Sequence, residues 1–134
     1  MNIIRWLCLI PASYLGYYIA LIGGMAVHTF AESFCPPEAV ISGMCTANYI
    51  RPIETFLFLV FPGIAAILVV LLPTLAAPSK KVAVAVIFFV LGATAAIYMG
   101  TSLREWKILA FALVCGAATV WFIYVNQNKK ARNS

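Results

Sequence analysis

Four long apolar stretches, separated by short polar segments, run through the 134-residue chain. Three of them, residues 56–77, 82–99 and 108–125, carry no charge and approach the roughly 20 residues that take an α-helix across a bilayer. The first, residues 3–30, is longer and includes Arg5. The stretches show neither the alternating pattern of a strand nor a one-sided amphipathic pattern. Helices are also favoured because backbone in hydrocarbon must satisfy its own hydrogen bonds. We predict transmembrane helices at residues 4–30, 53–76, 82–100 and 106–125.

Composition supports lipid as the solvent for most of the chain. Hydrophobic residues make up 64% and charged residues 10% of the sequence, against about 45–50% and about 25% in soluble domains. A chain this short could not bury so much apolar surface in water. We therefore predict one all-α transmembrane domain over residues 1–134. Because two of the three connections are short, the helices should form an antiparallel four-helix bundle, with one longer outer loop at residues 31–52.

The distribution of charge predicts the orientation of the helices. Six basic residues fall on one side and three on the other, which places the first side in the cytoplasm by the positive-inside rule. The chain would then have both termini cytoplasmic, and we predict the bacterial inner membrane as its location. No basic stripe along a helix accompanies the net charge of +5, so nucleic acid is not expected as a partner. The six residues are Arg5, Lys80, Lys81, Lys129, Lys130 and Arg132.

The four cysteines fall into two classes. Cys35 and Cys45 lie in the outer loop with turn-forming residues between them, and an oxidising outer compartment favours a disulfide there. Cys8 and Cys115 fall inside spans, where thiols usually act as small hydrophobic fillers, so we expect both to stay free. The chain has no Cys-x-x-Cys motif, which argues against a thiol oxidase because that motif activates the attacking thiol.

Small residues at a spacing of four mark a smooth stripe on the first helix. Such residues let helices approach closely in lipid, and we predict that this stripe packs within the chain in preference to a homodimer seam. Two proline positions, Pro11 and Pro62-Gly63, are expected to kink or loosen their helices. The stripe residues are Ala12, Gly16, Ala20 and Gly24.

Polar side chains that could bind a ligand gather at the predicted outer ends of the helices. The only histidine, His28, precedes Glu32 by four residues and would share a helix face with it. A solvated interfacial pair is the preferred interpretation; the alternative is a metal or proton site completed by Glu38 or Glu54, and we predict no metal cofactor. A cavity for an amphiphile, opened by a loosened second helix, would have its mouth here. The predicted ligand-binding residues are His28, Glu32, Glu54, Arg104, Tyr14 and Tyr18.

Several function classes are excluded by what the sequence lacks. The chain has no aspartate, and no glutamate, lysine or arginine lies near the middle of a span, whereas proton-coupled transporters need an ionisable residue at depth. No Ser/His/Asp arrangement, phosphate-binding loop, zinc spacing or haem motif is present, so we predict no catalytic residue.

Three functions stay open. The preferred one is a non-catalytic subunit or assembly factor of a membrane complex, which is not an enzyme. The alternatives are a small transporter or lipid-binding protein acting as an oligomer, and a quinone- or thiol-linked redox enzyme. The expected partners are membrane lipids, other membrane helices or a second copy of the chain. We expect no cofactor, although a bound lipid or quinone is compatible with the sequence.

Overall fold

Four long α-helices make up most of the protein in the computed structural model, which describes residues 6–42 and 44–132. All four are long and apolar enough, by length and composition, to cross a membrane, which supports the predicted spans. The predicted span at residues 4–30 begins outside the described residues, and Arg5 lies outside them as well. The helices are α1 (Leu9–Glu32), α2 (Ile50–Ala76), α3 (Lys81–Leu103) and α4 (Trp106–Arg132).

The helices extend beyond the residues predicted for them, as α2 and α4 show. α2 begins at Ile50, ahead of predicted residue 53, and its first turn contains Pro52, a position that tolerates the missing N–H. α4 continues past predicted residue 125 to Arg132. Its last turn holds three basic residues, which interact favourably with the negative end of the helix dipole.

The segment between α1 and α2 has a structure of its own. A 3₁₀ turn at Pro37–Ala39 leads into a small antiparallel hairpin of β1 (Val40–Ile41) and β2 (Met44–Cys45). Thr46 donates hydrogen bonds to the Ala39 carbonyl from both its backbone N–H and its hydroxyl, each at 2.8 Å. These bonds close the segment on itself, so it is more than a flexible connection.

A disulfide joins Cys35 to Cys45, which confirms the predicted pairing. Their Cα atoms are 6.0 Å apart, within the range that a disulfide requires. Cys8 and Cys115 are free thiols, again as predicted. The bridge lies at the base of the hairpin, because Cys45 pairs with Val40 in the two-stranded sheet.

α2 is the element that the other helices share. It packs extensively against α1, α3 and α4, and α3 also packs against α4. The stripe of small residues on α1 faces α2: a Cβ added at Gly16 would lie 2.9 Å from the backbone C and O atoms of Leu68. Ala20 is buried, and Gly24 faces the ring of Phe61. The prediction that this stripe packs within the chain is therefore confirmed.

The prolines lie at the start of α1 and within α2. Pro11 lies in the first turn of α1, and a turn at Cys8 separates α1 from the helical residues Trp6 and Leu7. Such a break fits the N–H that proline lacks. α2 continues as one helix through both Pro62 and Pro73. Gly63 is buried and makes room for α4, because a Cβ there would lie 2.6 Å from the ring of Phe111. We conclude that Gly63 serves close packing between α2 and α4.

Most of the apolar surface is left uncovered by the chain itself. In the most apolar part of each helix, no more than 28% of the residues are buried within the protein. Threonine hydroxyls are directed back to their own helix, as in the 2.6 Å bond from Thr74 to the Val70 carbonyl. Such an exterior is consistent with an integral membrane protein, in which lipid covers apolar side chains and polar groups are satisfied internally.

Candidate functional site

Three ionisable side chains, His28, Glu32 and Glu54, converge between the last turns of α1 and the start of α2; we call them the outer cluster. Nδ1 of His28 lies 3.6 Å from Oε2 of Glu32, one turn along the same helix. Nε2 of His28 lies 3.6 Å from Oε1 of Glu54 on α2. One nitrogen or oxygen atom from each residue lies within 4.8 Å of the other two. The imidazole thus lies between carboxylates from two helices.

Local helix geometry and the packing of α1 on α2 together build this cluster. The spacing of four residues puts His28 and Glu32 on one face of α1. Glu54 reaches them because Gly24, one turn before His28, allows Phe61 of α2 to approach closely. The three side chains are 34%, 32% and 34% exposed, respectively. The cluster is therefore reachable from outside, although both helices hold it in place.

The cluster carries more negative than positive charge. Within residues 6–42 and 44–132, neither Glu32 nor Glu54 has a lysine or arginine within 4.0 Å, and His28 is their shared partner. Arg51 precedes Glu54 by three residues, yet its side chain is exposed and forms no ion pair with it. Two carboxylates around one imidazole can hold a proton or a cation that balances their charge.

The remaining predicted ligand-binding residues are not brought to the outer cluster. Arg104 ends α3 in the left-handed conformation, with φ of 58°, and its exposed side chain forms no ion pair in the described part of the chain. Tyr18 precedes His28 by ten residues, about 15 Å along the helix at 1.5 Å per residue. Tyr14 lies one turn further away. Glu38 is exposed in the 3₁₀ turn and takes no part in the cluster.

Tyr14 and Tyr18 belong instead to an outward-facing surface of α1. With Tyr17, Ile22 and Met25 they form what we call the tyrosine face, which is exposed and lies outside the stripe that packs on α2. Tyr14 is 61% and Tyr18 54% exposed, and the rings of Tyr17 and Tyr18 meet edge to face with centroids 5.8 Å apart. None of the three hydroxyls has a hydrogen-bond partner among the residues that the structure describes.

Two open concavities lie away from the outer cluster. One, of about 390 Å³, is a groove between α2 and α4, and the other, of about 240 Å³, lies at the end of α4. Neither is lined by a predicted ligand-binding residue, so the cavity expected to open toward the cluster is not one of them. The sequence gives no signal for the groove, because its lining differs little from other apolar helix positions. That lining is Ile67, Leu71, Cys115, Ala118, Thr119 and Phe122.

Comparisons of the chain with protein-family models, with curated proteins and with solved structures found no match. The tyrosine face, the outer cluster and the groove are therefore interpreted from the residues that form them.

Proposed function

We propose that this chain is a non-catalytic accessory subunit of a membrane complex, and that its tyrosine face binds a transmembrane helix of the partner protein. In this proposal the four helices cross the bacterial inner membrane as an antiparallel bundle with both termini in the cytoplasm. The observation that carries the proposal is the group of exposed tyrosines on α1 whose hydroxyls lack partners in the described chain.

The position of α1 supports this role. α1 packs extensively only against α2, whereas α2, α3 and α4 all contact one another. One face of α1 is thus committed to the chain, and the opposite face is available along most of its length. In lipid, helices associate through close packing and interhelical hydrogen bonds, so an available face that carries donors suits another helix.

The polarity of the tyrosine face distinguishes it from an ordinary lipid-facing surface. Serine and threonine hydroxyls in the helices are satisfied by carbonyls of their own helix, as Ser13 is by Ile10 and Thr94 by Val90. A tyrosine hydroxyl extends too far from its helix to be satisfied in this way. Tyr18 lies about 14 Å from the start of α1 at 1.5 Å per residue, which is within a hydrocarbon core about 30 Å thick. A partner helix there would supply the acceptors that lipid tails lack.

A photo-crosslinking experiment tests this interface. With a photoreactive phenylalanine analogue at position 18, we expect cross-linking in the native host membrane to a distinct membrane protein, and a discrete larger assembly in mild detergent. The matched control carries the same analogue in place of Phe122, another exposed aromatic residue, which lies in the groove between α2 and α4. That position should yield mainly lipid adducts, because no unsatisfied polar group marks it.

The same experiment separates the proposal from two alternatives. Cross-links from position 18 to a second copy of the chain would indicate self-association. Lipid adducts alone at both positions, with the chain migrating as a monomer, would contradict the proposal. A specific lipid retained at position 122 would favour the lipid-binding alternative, since the groove has the largely apolar lining that suits an acyl chain.

Reporter fusions test the proposed orientation. After Ser134, a reporter that works only in the cytoplasm is expected to be active. At Gly43, a reporter that works only outside the cytoplasm is expected to be active. The six-to-three division of basic residues supports this orientation. Exposed aromatic residues near both ends of the last apolar stretch, Trp106 and Trp121, match the positions that such residues take at bilayer interfaces. Reversed activity at either fusion point would contradict the assignment.

A further inference from the structure

We propose that the outer cluster of His28, Glu32 and Glu54 binds one divalent transition-metal cation, Zn²⁺ being the cation that its chemistry suits best. The inference is independent of the proposed partner, because the cluster lies more than two helical turns from the tyrosines. The chain contains one histidine and four acidic residues. The histidine and two of those acids meet at a single point between two helices, which their positions in the sequence alone do not require.

Charge balance supports a bound cation. Two carboxylates lie around one imidazole, and in the described residues no lysine or arginine neutralises either of them. The protein elsewhere is basic, with a net charge of +5, so the local excess of negative charge is not a general property of the chain. A divalent cation would remove the repulsion between Glu32 and Glu54 while leaving the imidazole neutral, which is the form that binds metal.

The geometry is close to that of a three-ligand metal site. The three ligand atoms lie within 4.8 Å of one another, so a cation placed between them would be at most about 2.8 Å from each. Zinc–ligand bonds are about 2.0–2.2 Å long. Each side chain therefore has to move by less than about 1 Å, which half-exposed side chains achieve by small rotations. One imidazole nitrogen and two carboxylate oxygens leave a fourth position for water.

The type of ligand selects the class of metal. Ca²⁺ and Mg²⁺ favour sites made only of oxygen atoms, whereas imidazole nitrogen favours zinc and its transition-metal neighbours. A metal bound here would join α1 to α2 at their outer ends, close in sequence to the disulfide-bonded segment. It would thus add a second link between the two helices, made through side chains rather than through the connecting chain.

Zinc titration of the full chain tests the site. The protein is purified in mild detergent with its disulfide intact, stripped with a chelator, and titrated with Zn²⁺ by calorimetry at neutral pH. We expect saturable binding of one Zn²⁺ per chain and a rise in the thermal unfolding temperature. We expect each of the substitutions H28Q, E32Q and E54Q to weaken zinc binding by at least about tenfold. Even replacing a residue that only hydrogen-bonds to a metal ligand costs about this much affinity.

Matched controls separate the cluster from adventitious binding. E38Q and E105Q remove the two acids outside the cluster and should bind Zn²⁺ as the unaltered chain does. A chain carrying C8S and C115S should retain the same stoichiometry, which excludes thiol ligation. Circular dichroism establishes that each variant is helical. If a variant fails to fold, zinc binding to the unaltered chain is measured at several pH values instead. Binding should weaken as the pH falls, because protonated imidazole cannot bind metal.

Three results would overturn the inference. The first is folded protein that shows no saturable zinc binding at neutral pH. The second is binding that survives all three cluster substitutions, and the third is binding lost equally in E38Q and E105Q. If zinc does not bind and the protein instead becomes more stable as the pH is lowered, a protonated His28 holding the two carboxylates replaces the metal site.

Discussion

Replacing Gly16 with alanine is expected to loosen α1 from α2 and to lower the free energy of unfolding by about 1–3 kcal/mol, the usual cost of overpacking a tight contact. A Cβ at this position would lie 2.9 Å from both the carbonyl carbon and the oxygen of Leu68. Those atoms belong to the backbone of α2, so they cannot rotate away as a side chain does. The helices would have to separate, and the loss is measured by unfolding the purified protein in mixed detergent.

The matched control is Gly23→Ala on the same helix. There the added Cβ would meet only the Cε1 atom of Phe61 at 3.6 Å, an ordinary contact. Alanine also favours the helical state over glycine by about 1 kcal/mol, so Gly23→Ala should be neutral or mildly stabilising. Equal effects from the two substitutions would show that the approach of α1 to Leu68 is not the tight contact described above.

Removing the disulfide is expected to have the other large effect. In the chain-entropy description, a bridge between residues ten apart stabilises a protein by about 2–3 kcal/mol. C35S/C45S should therefore lose up to about this free energy of unfolding. The hairpin of β1 and β2 should open first, because two-residue strands are not stable without support.

The matched control for the disulfide is C8S/C115S, which removes the two free thiols. Its unfolding free energy should be close to that of the unaltered chain if neither thiol has a partner to lose. Thiol labelling of denatured, unreduced protein should find two reactive cysteines, and four only after reduction. Four reactive cysteines before reduction, or equal stability of the two double variants, would show that the native protein lacks this disulfide.

The helices were predictable because a bilayer fixes the length of an apolar helix. Their ends were less so, as α4 shows. Hydropathy ends near residue 125, but hydrogen bonding continues to Arg132, because a formed helix propagates easily into residues with no apolar requirement. A hydropathy pattern therefore measures the part of a helix that suits lipid, and the helix itself can be longer.

The outer cluster was predictable only in part. The spacing of His28 and Glu32 follows from one helix, and the structure places them together. The contact with Glu54 depends on how far α2 is shifted along α1, which close approaches such as that of Gly24 to Phe61 determine. Arg104 and the tyrosines share only general polarity with the cluster. Among the described residues, the structure shows no ion pair between Arg104 and the cluster, because polarity alone does not specify which helices are neighbours.

The order in which the helices occur along the chain has a consequence for biogenesis. α1 needs extensive contact only with α2, and the disulfide joins the segment between them. This first half can therefore close as a hairpin while α3 and α4 are still being synthesised, since early parts of a chain fold first. α3 and α4 would then dock on a surface of α2 that is already in place. An interruption of synthesis after Ala77 would leave an intact hairpin with its tyrosine face complete.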